Sequence, residues 1–167
     1  YTLIDRIKQS PLNNIIFRIT EDAFVKYNIA PVPFCNSFGK KVRCKNPIIE
    51  IGHFGKGEDF MSRLPTALLI AGFHGDEVIG TNALYYMLEL ILENYAVDPY
   101  YANLLDNVHV LVLPMANVNG FNRRSREEVN VINNKQTSND PNRDFPYDPK
   151  PKSGCFISSR LNTDPVN

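Results

Sequence analysis

The 167-residue sequence lacks net charge: 18 Lys+Arg balance 18 Asp+Glu. A non-specific nucleic-acid binder carries a basic excess, so no nucleic-acid partner is expected. Long apolar runs are also missing. The stretch from Val108 to Met115 falls far short of the ~20 residues that cross a bilayer, which excludes a helical membrane span. Cysteine is scarce and odd in number: Cys35, Cys44 and Cys155. That density excludes a disulfide framework, and no Cys-x-x-Cys pair offers zinc or redox chemistry. Three half-buried free thiols are expected; the alternative is that Cys35 and Cys44 close one small loop in an oxidising compartment. No Asn-x-Ser/Thr sequon hints at secretion, and the compartment stays open. The first residue, Tyr1, follows no signal-like run, as expected of a trimmed or excised chain.

What remains is globular. Hydrophobic residues make up 43% and charged residues 22%, which excludes wholesale disorder. No repeat or Gly/Ser linker divides the chain, so residues 1–167 are read as a single domain. Residues 2–8 hold a short helix, and residues 14–20 and 47–51 are β-branched runs that predict strands. Residues 66–71 (TALLIA) predict a strand buried on both faces. Residues 78–95 carry a helical apolar period, and residues 108–114 (VHVLVLP) predict a second buried strand. Strand, loop, helix and strand in that order make a βαβ unit. Sheets of this kind place ligands beyond the carboxyl ends of their strands, here at residues 72–77 and 114–126. Residues 122–143 are rich in Asn and Arg and read as loop. Pro-rich residues 141–151 follow, and residues 155–162 could begin a helix.

Three local features could carry chemistry. His74-Gly-Asp-Glu77 offers an imidazole and a carboxylate, a ligand mix that zinc accepts. The same residues also fit a plain strand-to-helix turn with an acid favouring the helix dipole. Asn142-Arg143 pairs an amide with a guanidinium fork suited to a carboxylate, or is a Pro-framed surface turn. Asn117-Val-Asn-Gly120 leads into Arg123, Arg124 and Arg126, a run that alone reads as a solvated basic face.

In combination and order, the three features resemble the zinc carboxypeptidases of family M14 from about Ile48 to Pro146. The resemblance implies an α/β fold: a three-layer α/β/α architecture with a mixed, mostly parallel sheet, here truncated at the C-terminus. It implies a zinc-dependent metallocarboxypeptidase acting on peptide or protein C-termini. His74 and Glu77 would be two zinc (Zn2+) ligands, Arg126 the catalytic electrophile, and Asn142 and Arg143 the substrate-binding pair for the terminal carboxylate. Arg123 and Arg124 remain candidates for the electrophile. The family's Asn-Pro-Asp-Gly stands here as Asn-Val-Asn-Gly, and its Asp-Leu-Asn-Arg as Asp-Pro-Asn-Arg.

The family's third zinc ligand, a His, its general base, a Glu, and a Tyr that covers the substrate match nothing in this sequence. His109 is expected on the sheet and His53 at the surface. The chain therefore reads as the front part of a catalytic domain, inactive alone, whose partner is the rest of that domain. A secretory location follows from the resemblance only. The alternatives are an aspartoacylase-like amidohydrolase and a non-catalytic module of the same fold that binds C-terminal peptides.

Overall fold

A computed structural model describes residues 2–28, 33–132 and 135–143. Its elements run in the order α1 (Leu3–Gln9), β1 (Phe17–Thr20), α2 (Ala23–Lys26), β2 (Phe34–Ser37), β3 (Lys40–Arg43) and β4 (Ile48–Ile51). Then come α3 (Glu58–Met61), β5 (Thr66–Ile70), α4 (Val78–Asn94), α5 (Pro99–Asn107) and β6 (His109–Leu113). The last are α6 (Val118–Arg123), β7 (Glu128–Ile132) and β8 (Lys135–Asn139).

A mixed sheet of order β1-β4-β6-β5 carries the core. β1 and β6 both pair antiparallel with β4, while β5 pairs parallel with β6, from Thr66↔His109 to Ile70↔Leu113. Alternate strand residues point to one face, so Ile49, Ile51, Val110 and Val112 are buried together with Ile7, Phe17, Leu88 and Leu105. The expected βαβ unit is present, with α5 added between α4 and β6. Asp98 caps α5, accepting a hydrogen bond from the Tyr100 N–H, and Pro99 occupies its first turn. This α/β arrangement sets the carboxyl ends of β5 and β6 side by side. The two loops that follow them emerge at one edge.

Four expectations need correction. Cys35 and Cys44 are joined by a disulfide rather than free. Cys35 lies on β2 opposite Val42, and Cys44 stands one residue past the end of β3; their separation along the chain could not reveal that pairing. Cys155 and the helix expected near it lie outside the described residues.

β5 is not buried on both faces: Leu68 and Ile70 are 59% and 38% exposed, while Ala67 and Leu69, on the opposite face, look toward α4 and α5. Residues 122–143 are not all loop, since they hold the end of α6 and the β7–β8 hairpin. A two-stranded ribbon satisfies its backbone groups internally, so a polar sequence can form one. Residues 14–16 form turns rather than strand, with Asn14 at φ 62°.

Candidate metal and substrate site

The loop after β5 is bound to the loop after β6 by their own backbones. The Ala116 N–H donates to the Ala71 carbonyl and the Asn117 N–H to the Gly72 carbonyl, each at 2.8 Å. Gly72 has φ +66°, where only glycine is unstrained. Gly75 is required for a different reason. A Cβ there would fall 1.9 Å from the Gly120 carbonyl carbon, so the two loops touch backbone to backbone. The Asn117 side chain caps α6 by accepting from the Gly120 N–H at 2.7 Å, and its amide donates to the Arg126 carbonyl at 3.3 Å. The His-x-x-Glu and Asn-x-x-Gly segments are thus one interlocked unit.

His74 sits buried in this unit, with a carboxylate on each ring nitrogen. Nδ1 lies 2.9 Å from Glu77 Oε1, and Nε2 lies 3.0 Å from Asp140 Oδ1. Glu77 stands at the N-cap position of α4, yet its carboxylate makes no capping bond. It turns instead to His74 and to Arg126 Nη1 at 3.0 Å. Glu77 therefore makes no side-chain cap, although its charge still stands at the N-terminus of α4. Arg126 also reaches Asp140 Oδ2, from Nη2 at 3.2 Å and from Nε at 3.3 Å. Four side chains close a ring of alternating charge at the carboxyl ends of β5 and β6.

The electrostatics follow from these contacts. Burial opposes the His74 cation, but hydrogen bonds to Glu77 and Asp140 outweigh it and hold the imidazole above its usual pKa. The His74 bond, helped by Arg126, keeps Glu77 below the usual carboxylate range. Burial raises Asp140, yet the His74 bond, the Asn142 N–H and Arg126 together carry it below. In chemical terms, Nδ1 and Oε1 converge on one point while Asp140 fixes the other ring nitrogen. A carboxylate that orients an imidazole in this way is the usual support of a metal-bound histidine. Among the described residues no group of three or more His, Cys, Asp or Glu side chains could hold a metal ion; His74 and Glu77 present one nitrogen and one oxygen donor, a mix that zinc accepts.

Of the three candidate arginines, Arg126 joins this ring, whereas Arg123 and Arg124 are exposed at the end of α6. Asn142 is exposed on a 3₁₀ turn (Pro141–Arg143), and its N–H donates to Asp140 Oδ1 at 3.0 Å. The backbone of Arg143 lies on the same turn; its side chain is outside the described residues. Sequence reasoning missed Asp140. The available signal was an Asp two residues before Asn142, an arrangement that closes a turn through its own side chain. It also misplaced His53, which is buried rather than at the surface and bonds Asp106 through Nδ1 and Tyr95 through Nε2. His109 lies on β6 as expected, near Glu50 and the edge of Phe54.

Comparison with known proteins adds a family match. The family model for zinc carboxypeptidase matches residues 49–162. Carboxypeptidase M of Mus musculus is 28% identical over 131 residues, which cover 75% of this chain and 29% of the relative. Carboxypeptidase SOL1 of Arabidopsis thaliana is 35% identical over 82 residues, covering 49% of this chain and 15% of the relative. The chain thus spans less than a third of either relative. Among solved structures, thrombin activatable fibrinolysis inhibitor superposes with a TM-score of 0.60 at 14% identity, over 86% of this chain and 32% of the other. That likeness speaks for the fold.

Proposed function

The chain belongs to the zinc carboxypeptidase family, and from that premise we propose that the protein of which it forms part releases C-terminal residues from peptides with zinc as cofactor. The observation that carries this reading is His74, with Nδ1 turned to Glu77 and Nε2 held by Asp140. When bound, zinc supplies Lewis acidity and lowers the pKa of a coordinated water toward ~7.

The chain's own residues do the rest of the work assigned to this half. Asp140 holds the His74 tautomer that leaves Nδ1 free as a ligand, and Glu77 supplies the second. Arg126, half-exposed between Glu77 and Asp140, offers a cation to the oxyanion that develops on the scissile carbonyl. Loss of one such donor costs about 10²–10³ in rate. Asn142 and Arg143 hold the terminal carboxylate, which fixes the peptide bond presented for cleavage. Among the described residues no third ligand joins His74 and Glu77. The Cys35–Cys44 disulfide supports an oxidising, secretory-type compartment.

Zinc content decides the ligand assignment. The 167-residue chain alone should retain almost no zinc after dialysis, while the full-length protein holds one equivalent and loses it on Glu77→Ala. One zinc on the isolated chain, or full zinc in Glu77→Ala, would overturn the assignment. Arg143→Ala should damage turnover of peptides with free C-termini far more than of amidated analogues. Equal losses on both would remove Arg143 from carboxylate recognition.

A further inference from the structure

Away from the metal half-site, the β2–β3 hairpin has features that folding alone does not explain. Its two-residue turn is Phe38-Gly39, with φ +50° and +78°. Turns of this type favour Asn-Gly or Gly-Gly, and a bulky residue at positive φ is an outlier. Phe38 gains no packing in exchange: it is 103% exposed. A Cβ added at Gly39 would meet nothing within 4 Å, so the tip stands in open space.

The tip is held rigidly. The Asn36 N–H donates to the Asn122 side chain at 2.6 Å, the Asn122 amide returns to the Asn36 carbonyl at 2.9 Å, and Asn119 donates to the Phe34 carbonyl at 2.5 Å. The disulfide ties the base of the same hairpin.

Charge around the tip is of one sign, although the whole chain is neutral. Residues 33–46 contain Lys40, Lys41, Arg43 and Lys45 and no acid. Lys45 faces Glu21. Lys40, Lys41 and Arg43 are exposed, as are Arg123 and Arg124 at the end of α6, and Arg123 and Lys41 line one cleft with Phe34. Among the described residues, none of these five cations has an ion-pair partner. Lys41 packs its ammonium over the Phe34 ring at 4.4 Å, and that ring is itself half exposed.

An exposed aromatic tip ringed by unpaired cations matches the chemistry of a bilayer surface, apolar below and anionic at its headgroups. We propose that the β2–β3 hairpin docks the protein on anionic lipid, with Phe38 entering the headgroup boundary and Lys40, Lys41 and Arg43 facing lipid phosphates and carboxylates. A soluble acidic partner would use the cations but would leave a fully exposed, backbone-strained Phe unexplained. The proposal does not depend on the metal half-site.

These 167 residues contain no tryptophan, so Phe38→Trp gives them one indole reporter, at the tip, read as the difference from the unsubstituted protein. The test uses vesicles of phosphatidylcholine with and without phosphatidylserine. The protein should sediment with the phosphatidylserine vesicles and lose binding about fivefold for each of Lys40→Gln and Lys41→Gln. The Phe38→Trp emission should shift to the blue on the same vesicles only. Phe38→Asn should weaken binding about tenfold while its thermal midpoint holds or rises, since Asn suits the turn. Sedimentation indifferent to phosphatidylserine, or an unshifted Phe38→Trp emission, would overturn the proposal. So would retention on heparin with the vesicles left unbound, which would assign the cations to a soluble polyanion.

Discussion

Two buried histidines stand at opposite ends of the same sheet and invite opposite readings. His74 follows β5, at the carboxyl ends of the parallel strands, with Glu77 and Asp140 on its two nitrogens. His53 follows β4, which runs antiparallel, and so lies at the other end beside the start of β6. Its partners are Asp106 and Tyr95, and Lys56 also donates to Asp106. Burial is nearly the same, 5% and 7% exposed. What differs is the company each keeps. His74 faces two carboxylates, one of them half-exposed and shared with an arginine that a substrate anion could recruit. His53 joins the loop after β4 to the ends of α4 and α5, and its one carboxylate, Asp106, also accepts from Lys56. The two histidines thus differ by one carboxylate and by place: His74 has an acid on each ring nitrogen, whereas His53 has an acid on one and the Tyr95 hydroxyl on the other.

The sharpest way to break this contrast is to remove each ring in turn from the full-length protein. His74→Ala should abolish zinc and activity. His53→Ala should leave zinc unchanged but lower the urea midpoint, since it removes a buried ring that joins Asp106 to Tyr95. Zinc titration and urea midpoints on both variants check this, and loss of zinc in His53→Ala would erase the distinction. Asp140→Asn tests the next level. It keeps the size of the side chain but removes the charge that orients the His74 ring, so zinc affinity should fall about 10–100-fold with the fold intact. Chelator competition reads that loss directly. An unchanged affinity would make Asp140 only a turn residue.

The grouping of His74, Glu77 and Arg126 drew on signals that are mostly local. His74-Gly-Asp-Glu77 closely follows an apolar strand, so the imidazole and the carboxylate could be placed together at its carboxyl end. Even the order of Arg126, Asn142 and Arg143 reflects a short excursion from the same sheet edge. Asp140 was illegible because its contact with His74 spans 66 residues, and only the folded chain brings the loop after β5 to the residue before the 3₁₀ turn. His53 was misread for the same reason: a Gly-rich loop predicts exposure, while its partners come from positions 42 and 53 residues further on. In the sheet, β4, β5 and β6 were plain from their apolar runs. The β2–β3 hairpin was not, since its residues are almost all exposed and give no hydrophobic alternation to read.

The smallest effect expected from the comparison is a pH dependence confined to the His53 end. The hydrogen bond from Lys56 is the largest influence on Asp106, and with the weaker help of His53 it outweighs burial and holds the carboxyl below its usual range. A carboxylate whose folded pKa is depressed contributes stability above its unfolded value of about 3.9. That contribution is lost as pH falls through the folded value. Acidification below about pH 4 should therefore loosen the junction between the loop after β4 and α5. Amide exchange at Phe54 and Val108 should rise in the wild-type protein, while Asp106→Asn should show raised exchange at neutral pH and little further change on acidification. A wild-type protein whose exchange there stays level from neutral pH down to the acid limit would mean that the pair contributes geometry without measurable stability, as exposed ion pairs often do. In that case the Tyr95 bond, rather than the charge on Asp106, would be what fixes the His53 ring.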